Sequence, residues 1–238
     1  MDTSPSEAAF FARLSTDLLQ LRDEKPTLQR VVDRAVQVVG PCEWCGISLR
    51  KRRHRVETVA SSSEVARACD DLQYELDQGP CLEAIWDNEW YVAHDTAKDT
   101  RWPQWGPRVA QHGVGSVLAI RLATETETLG ALNLYASSVH AFTPDDIDVA
   151  LIFAAHATNA MSAARLVSGL QTAVQSRHLI GVAQGILMNR YELTLEQSFE
   201  VLRRFSSQAN IKLRDLATTV IEHRRLPDLD SEDLTRSG

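Results

Sequence analysis

The chain has 238 residues, 44% of them hydrophobic and 24% charged, and a formal net charge of −7. That length supports one large or two modest soluble domains, each with a real core. No run approaches the roughly 20 uninterrupted apolar residues of a membrane span, and Met1-Asp2-Thr3-Ser4-Pro5 lacks the basic and apolar regions of a secretory leader, so a cytoplasmic protein with no membrane partner is expected.

In chain order, the first expected element is a helix capped by Ser6, with Phe10, Leu14, Leu18 and Leu21 three or four residues apart. Lys25-Pro26 is expected to break it. A second helix carries Leu28, Val31, Val32, Ala35, Val38 and Val39 on one broad face and stops at Gly40. Glu43–Arg50 and Arg55–Ala60 read as a strand pair around the solvated basic turn Lys51-Arg52-Arg53-His54. Ser63–Leu76 reads as helix, and Asp77-Gln78-Gly79-Pro80 as a sharp turn. A strand at Trp90–Ala93 and a helix at Pro103–His112 follow. Gly115–Leu122 and Leu129–Ala136 then flank the polar link Ala123–Thr128 as an antiparallel hairpin.

Thr143-Pro144-Asp145-Asp146 is a helix start, with a capping threonine, a first-turn proline and acids at the positive end of the dipole. From there to Met188 no further proline occurs, so one long helix is expected, or two that meet at a kink near Gly169. Its alanines at 150, 154, 157, 160, 163 and 164 form a low-relief stripe, read here as the seam of a homodimer. A helix opening on the capping box Thr194-Leu195-Glu196-Gln197 should bury Phe199, Leu202 and Phe205, and a last helix spans about Ile211 to His223. The expected fold class is α+β: an antiparallel sheet with flanking helices, joined by a long helix to a C-terminal three-helix bundle.

Charge is unevenly spread. Ser176–Leu226 holds eight Lys/Arg against five Asp/Glu, whereas Pro227–Gly238 holds four acids against Arg236. A basic block between an acidic body and an acidic tail suits a polyanionic partner. The tail after Pro227 is expected to be disordered.

The four cysteines are Cys42, Cys45, Cys69 and Cys81. One CxxC with distant partners reads as core packing, as a redox pair or, least well spaced, as a metal site. Four of the five tryptophans (Trp86, Trp90, Trp102, Trp105) fall within twenty residues. They line an aromatic ligand pocket or fill the core beneath irregular loops. No nucleophile elbow, phosphate loop or metal-ligand spacing occurs, so an enzyme is not expected.

Arg177-His178-Leu179-Ile180, Ala183-Gln184-Gly185-Ile186-Leu187-Met188, Ser198-Phe199, Leu202-Arg203-Arg204 and Lys212-Leu213-Arg214-Asp215-Leu216-Ala217 together resemble an ANTAR domain. Gln184 stands where that family usually has lysine, and Ser198 where it usually has alanine. The preceding region resembles a GAF domain of the kind fused to ANTAR in actinobacteria. That likeness rests on Asp70-Asp71-Leu72-Gln73-Tyr74-Glu75-Leu76, Gln78-Gly79-Pro80-Cys81, Arg101-Trp102-Pro103 and Gly130-Ala131-Leu132-Asn133-Leu134-Tyr135. Asp77 replaces a common glycine there, and Arg121 a common proline.

The resemblance implies a sensor domain over residues 1–160, an RNA-binding domain over 161–226 and an acidic tail over 227–238. It implies a transcription antitermination regulator that binds paired stem-loops in nascent leader transcripts and prevents terminator formation. Arg177, Ala183, Gln184, Gly185, Arg190, Arg203, Lys212 and Arg214 are then the candidate RNA contacts. No cofactor is implied. A small ligand of unknown identity in the GAF domain stays open, with Tyr74, Cys81, Trp86 and Trp102 as its candidate contacts. The alternative is a small-molecule or redox sensor whose bundle is a dimerisation or protein-interaction module.

Overall fold

The computed structural model describes residues 5–51 and 55–227, the first three of these by backbone only, so the acidic tail and the tip of the basic turn lie outside the described residues. The chain divides into two compact units, Met1–Val167 and Ser168–Gly238.

The first unit opens with helices α1 (Pro5–Leu19) and α2 (Glu24–Val38). Pro26 does not separate them. It sits in the first turn of α2, behind the N-cap Asp23, where a backbone N–H has no helical partner to lose. Strands β1 (Trp44–Arg50) and β2 (Val56–Ser61) form the expected hairpin, and helix α3 (Glu64–Leu76) follows, capped by Ser63. Next comes α4 (Pro80–Trp86), a helix where only a turn was expected. Gly79-Pro80 ends nothing here; Pro80 occupies the first helical position, where its fixed φ favours initiation. Strand β3 (Trp90–Ala93), helix α5 (Trp105–Gln111) and the hairpin β4 (Ser116–Ala123) and β5 (Thr128–Ala136) complete the sheet.

The five strands run in the order β2-β1-β5-β4-β3, with every neighbouring pair antiparallel. One face carries Ile47, Leu118, Ile120, Leu132 and Leu134, which pack on Leu28, Val31 and Val32 of α2 and on the start of α6 (Pro144–Tyr191). The opposite face is covered by α3, α4 and α5, with Trp102, Trp105, Cys69 and Val117 in one cluster and Cys81, Ile85 and Ala131 in another.

Helix α6 is one continuous element of 48 residues with no break at Gly169. Its start is the expected one: Thr143 accepts from the Asp146 N–H, and Asp146 accepts in return from the Thr143 backbone. The alanine stripe is not a dimer seam. Ala150, Ala154, Ala157 and Ala160 are buried against the sheet with Phe153, because a small side chain lets a helix lie close to a pleated surface. Among the described residues α6 is the one helix long and apolar enough to cross a membrane, and half of its most apolar window is buried inside the protein, as in a core helix.

In the second unit, α7 (Leu195–Ala209) begins with the expected Thr194/Gln197 capping box, and α8 (Leu213–His223) follows. Together with the end of α6 they enclose a small core of Ala183, Leu187, Leu202, Leu216, Ala217 and Val220. Phe199, expected inside, is 38% exposed.

Candidate nucleic-acid interface and the interior of the sheet domain

The bundle displays most of the expected RNA contacts and withdraws one. Ala183 is fully buried in the bundle core, so its side chain cannot meet RNA. Gly185, two residues on, is exposed, and a Cβ built there would meet no atom within 4 Å. Gln184 is half-buried: its amide donates to the Leu195 carbonyl at 3.1 Å and lies 3.5 Å from the Ser198 hydroxyl. It ties α6 to the start of α7. Ser198 is buried, the small packing residue its position calls for.

The exposed cations are spread over three helices. Arg177 and Arg190 both lie on α6, thirteen residues apart. Helical geometry puts them about 140° apart around the axis and about 20 Å along it, so one flat surface does not hold both. Arg203 and Arg204 line an open groove of about 400 Å3 on α7, with Glu200, Val201, Ser207 and Gln208. Arg203 is held by Glu200 at 2.7 Å, and this charge-assisted bond raises its pKa. Lys212 is exposed at the start of α8, and Arg214 is half-buried beside Asp215 at 3.1 Å. Arg204, Ser207 and the exposed rings of Tyr191 and Phe199 were not among the RNA contacts expected from sequence. Arg204 was legible as part of Leu-Arg-Arg; the exposure of Phe199 was not, because its helical spacing suits a core position.

Between the sheet and α3–α4 the first unit is filled by a polar network centred on Asp70. This carboxylate is fully buried. It accepts from Asn133 Nδ2 at 2.7 Å, Tyr135 OH at 2.5 Å and Thr58 Oγ1 at 2.9 Å. Ser48 and Thr58 bond the Tyr74 hydroxyl at 2.6 and 2.9 Å, and Asn133 also donates to Ser48 at 2.9 Å. Gln73 accepts from the Cys81 backbone at 2.9 Å. Gly46 makes room for the acid: a Cβ there would stand 2.4 Å from Asp70 Oδ2. Burial pushes the Asp70 carboxyl up to about 6, against the opposing pull of its three donors.

The four candidate ligand contacts are not gathered. Tyr74 is engaged in the network, Cys81 is buried beside it, and Trp102 is buried edge-to-face with Trp105 and donates to Glu83 at 2.7 Å. Trp86 stands apart, 43% exposed, with the Arg50 guanidinium 4.5 Å from its ring centroid. All four cysteines are buried free thiols. Burial raises Cys42, Cys69 and Cys81 to about 12 and Cys45 well above its ordinary value, so each stays protonated and unreactive at neutral pH. Among the described residues no group of three or more His, Cys, Asp or Glu is placed to hold a metal ion.

The arrangement has counterparts among solved structures. The GAF domain of a phosphoenolpyruvate-protein phosphotransferase from Acinetobacter superposes with a TM-score of 0.54 at 14% identity, covering 70% of this chain and 99% of that one. Its counterpart from Coxiella burnetii gives 0.54 at 15%, covering 68% and 96%. At such identity the likeness shows the fold alone. A search of curated proteins returns no match. Two family profiles match the sequence in succession, the GAF domain over residues 22–162 and the ANTAR domain over residues 168–221. The chain belongs to the GAF domain family and carries an ANTAR domain behind it, the organisation of a GAF–ANTAR regulator.

Proposed function

We propose that this chain is an RNA-binding regulator of transcription antitermination, in which the GAF region (residues 1–160) receives a signal and the ANTAR region (residues 161–226) binds paired stem-loops in leader RNA before a terminator forms. The observation that carries this reading is the ANTAR match falling on a three-helix bundle whose surface holds Arg177, Arg203, Arg204 and Lys212 in the open. Cations on a compact helical surface supply phosphate contacts, and exposed rings such as Phe199 and Tyr191 supply stacking for unpaired loop bases. GAF and ANTAR domains are regulatory rather than catalytic, which supports a role without turnover. We place the protein in the cytoplasm, where nascent transcripts are.

A homodimer fits paired targets, since a twofold protein offers two equal sites and linkage raises the effective concentration at the second. With the alanine stripe occupied by the sheet core, the supporting surface is Leu166, Leu170 and Val174, each at least 59% exposed and four residues apart on α6. Binding of a labelled two-hairpin RNA, measured against each single hairpin and across salt, tests the reading. Selective binding of the paired RNA is expected. Equal, weak binding of any RNA would overturn it. Leu170→Glu with Val174→Glu should yield monomers by light scattering and remove the preference for paired hairpins.

A further inference from the structure

The groove on α7 lies on the helix face turned away from the bundle core. Glu200, Arg203, Arg204, Ser207 and Gln208 recur there at helical spacing, while Ser198, Leu202 and Phe205 turn inward. Glu200 takes Nε and Nη2 of Arg203, which leaves its Nη1 open. Arg204, Ser207 and Gln208 are exposed, and among the described residues their side chains have no hydrogen-bond or ion-pair partner. Val201 adds a half-buried apolar surface to the same groove. The groove thus suits an occupant that is acidic and carries one apolar side chain.

The chain that leaves this bundle has that composition. Residues 228–238 hold Asp228, Asp230, Glu232 and Asp233 against Arg236, with Leu229 among the acids. Ser176–Leu226 holds eight Lys/Arg against five Asp/Glu, so the two segments bear equal and opposite net charge. Leu226 packs on the core that contains Leu202, and Pro227 is buried, so the acidic segment starts on the bundle itself. Its first six residues include all four acids and span up to about 20 Å extended, close to the roughly 22 Å length of α7. The acids therefore reach the groove with the bundle intact. A tether this short gives an effective concentration on the order of millimolar, enough for a contact too weak to hold two separate molecules.

We infer that the acidic segment 228–238 docks in the α7 groove of its own chain and masks Arg203 and Arg204, so that RNA binds by displacing it. The inference rests on the RNA-binding reading of the ANTAR region for what does the displacing, whereas the docking itself does not. Carboxylates of the segment pair with Arg204 and with Nη1 of Arg203, and Leu229 covers Val201. Such masking filters ligands. An RNA that offers only scattered phosphates competes poorly with a tethered run of acids, while a hairpin that adds base contacts displaces it.

The first test needs no RNA. The four native cysteines are buried, so a dye attached through Ser231→Cys in the full-length chain labels one accessible thiol. Its anisotropy should be high at low salt and unchanged on dilution. It should fall when salt is raised, and when Arg203→Gln with Arg204→Gln removes the cations of the groove. Equal anisotropy in the parent and the double variant, with their thermal transitions matched, would overturn the inference. A fall on dilution would seat the segment in a second copy of the chain and overturn it as well. The second test uses a hairpin RNA at low salt. Neutralising the segment (Asp228→Asn, Asp230→Asn, Glu232→Gln, Asp233→Asn) should tighten binding about fivefold, as for a groove masked roughly four-fifths of the time. That gain should largely disappear in an Arg204→Gln background, where little is left to unmask. An equal gain in both backgrounds would mean that the acids repel RNA from a distance, which defeats the docking. If no hairpin binds at all, the RNA reading fails while the dye still decides the docking.

Discussion

The two units of this protein solve opposite problems with polar residues. The GAF unit takes a carboxylate, two tyrosines, an asparagine and a glutamine inside and joins them by hydrogen bonds, some of which cross more than sixty residues of chain, as from Asn133 and Tyr135 to Asp70, while Asn133 Oδ1 is left without a partner. The ANTAR bundle keeps charge outside and, among the described residues, encloses a core of six fully buried apolar residues. A large sheet core, built from α1, α2, α6 and four strands, absorbs the cost of desolvating an acid. A small bundle has no such reserve, so its working residues must be superficial and its shape depends on a few leucines. Polar groups lie inside the one unit and on the surface of the other.

The sharpest way to break this contrast is one substitution made twice. Leu202→Ala should remove about 3 kcal/mol from the bundle, as Leu132→Ala should from the sheet core, since both side chains are fully buried. The expected outcomes differ: Leu202→Ala abolishes the bundle's thermal transition and RNA binding while the GAF transition stays, and Leu132→Ala lowers the GAF transition without abolishing it. Calorimetry of both variants separates these; two equal downward shifts would mean that the units melt as one.

Titration of the buried acid comes next. Asp70 has a carboxyl pushed up to about 6 in the folded protein, above its ordinary value of 3.8, so the fold binds its proton more tightly than the unfolded chain does. Stability is therefore highest below the unfolded value, falls as pH rises toward 6, and is flat above, with about 3 kcal/mol of difference between the limits. Asp70→Asn should erase that slope and leave the variant more stable than the parent at neutral pH. Urea titrations at pH 5 and pH 7.5 measure it, and an unchanged slope would show that Asp70 does not titrate in this window.

Surface changes in the bundle should leave folding intact and move binding. Arg203→Ala and Arg214→Ala each lose an exposed or half-exposed cation whose only described partner is an acid close by on the same helix. Each should weaken hairpin binding and make the salt dependence shallower by about 0.7 in log–log slope for a single-stranded phosphate contact. Unchanged affinity and slope would remove them from the interface. Gln184→Lys should preserve binding, because it removes no cation from the surface.

The smallest effect expected concerns backbone conformation. Asp77 closes α3 with φ of 50°, in the left-handed region that glycine enters without strain. Asp77→Gly should be neutral or stabilise the GAF unit by up to about 1 kcal/mol, by relieving that conformation. Gly185→Ala offers the converse in the bundle. Nothing stands within 4 Å of the new Cβ, so the helix should gain about 1 kcal/mol, and any loss of RNA binding would report close approach of the ligand at that point.

Most elements were legible from local pattern. The capping box at Thr194, the start at Thr143-Pro144 and the two hairpins all follow from spacing and turn chemistry, which act within a few residues. Pro26 and Pro80 were misread as stops because proline both ends helices and begins them, and which it does depends on whether the next residues find a surface to pack on. The bundle's identity was likewise plain in its ordered motifs, from Arg177 to Ala217.

Burial partners were not. Helical periodicity marks Ala150, Ala154, Ala157 and Ala160 as one face but carries no information on whether a sheet or a second helix covers it. Asp70 stands in the sequence as part of the GAF-like run Asp70–Leu76, which carries no sign that its carboxyl is buried, and Ala183 stands in a motif that reads as an interface. Only the folded chain brings Thr58, Asn133 and Tyr135 around the one, and Leu202, Leu216 and Val220 around the other. Short-range preferences settle where a helix or strand begins and which side of it is apolar, because they depend on neighbours a few bonds away. Whether an acid, an alanine or a tryptophan ends inside or out depends on contacts made across the whole chain, and those exist only once it has packed.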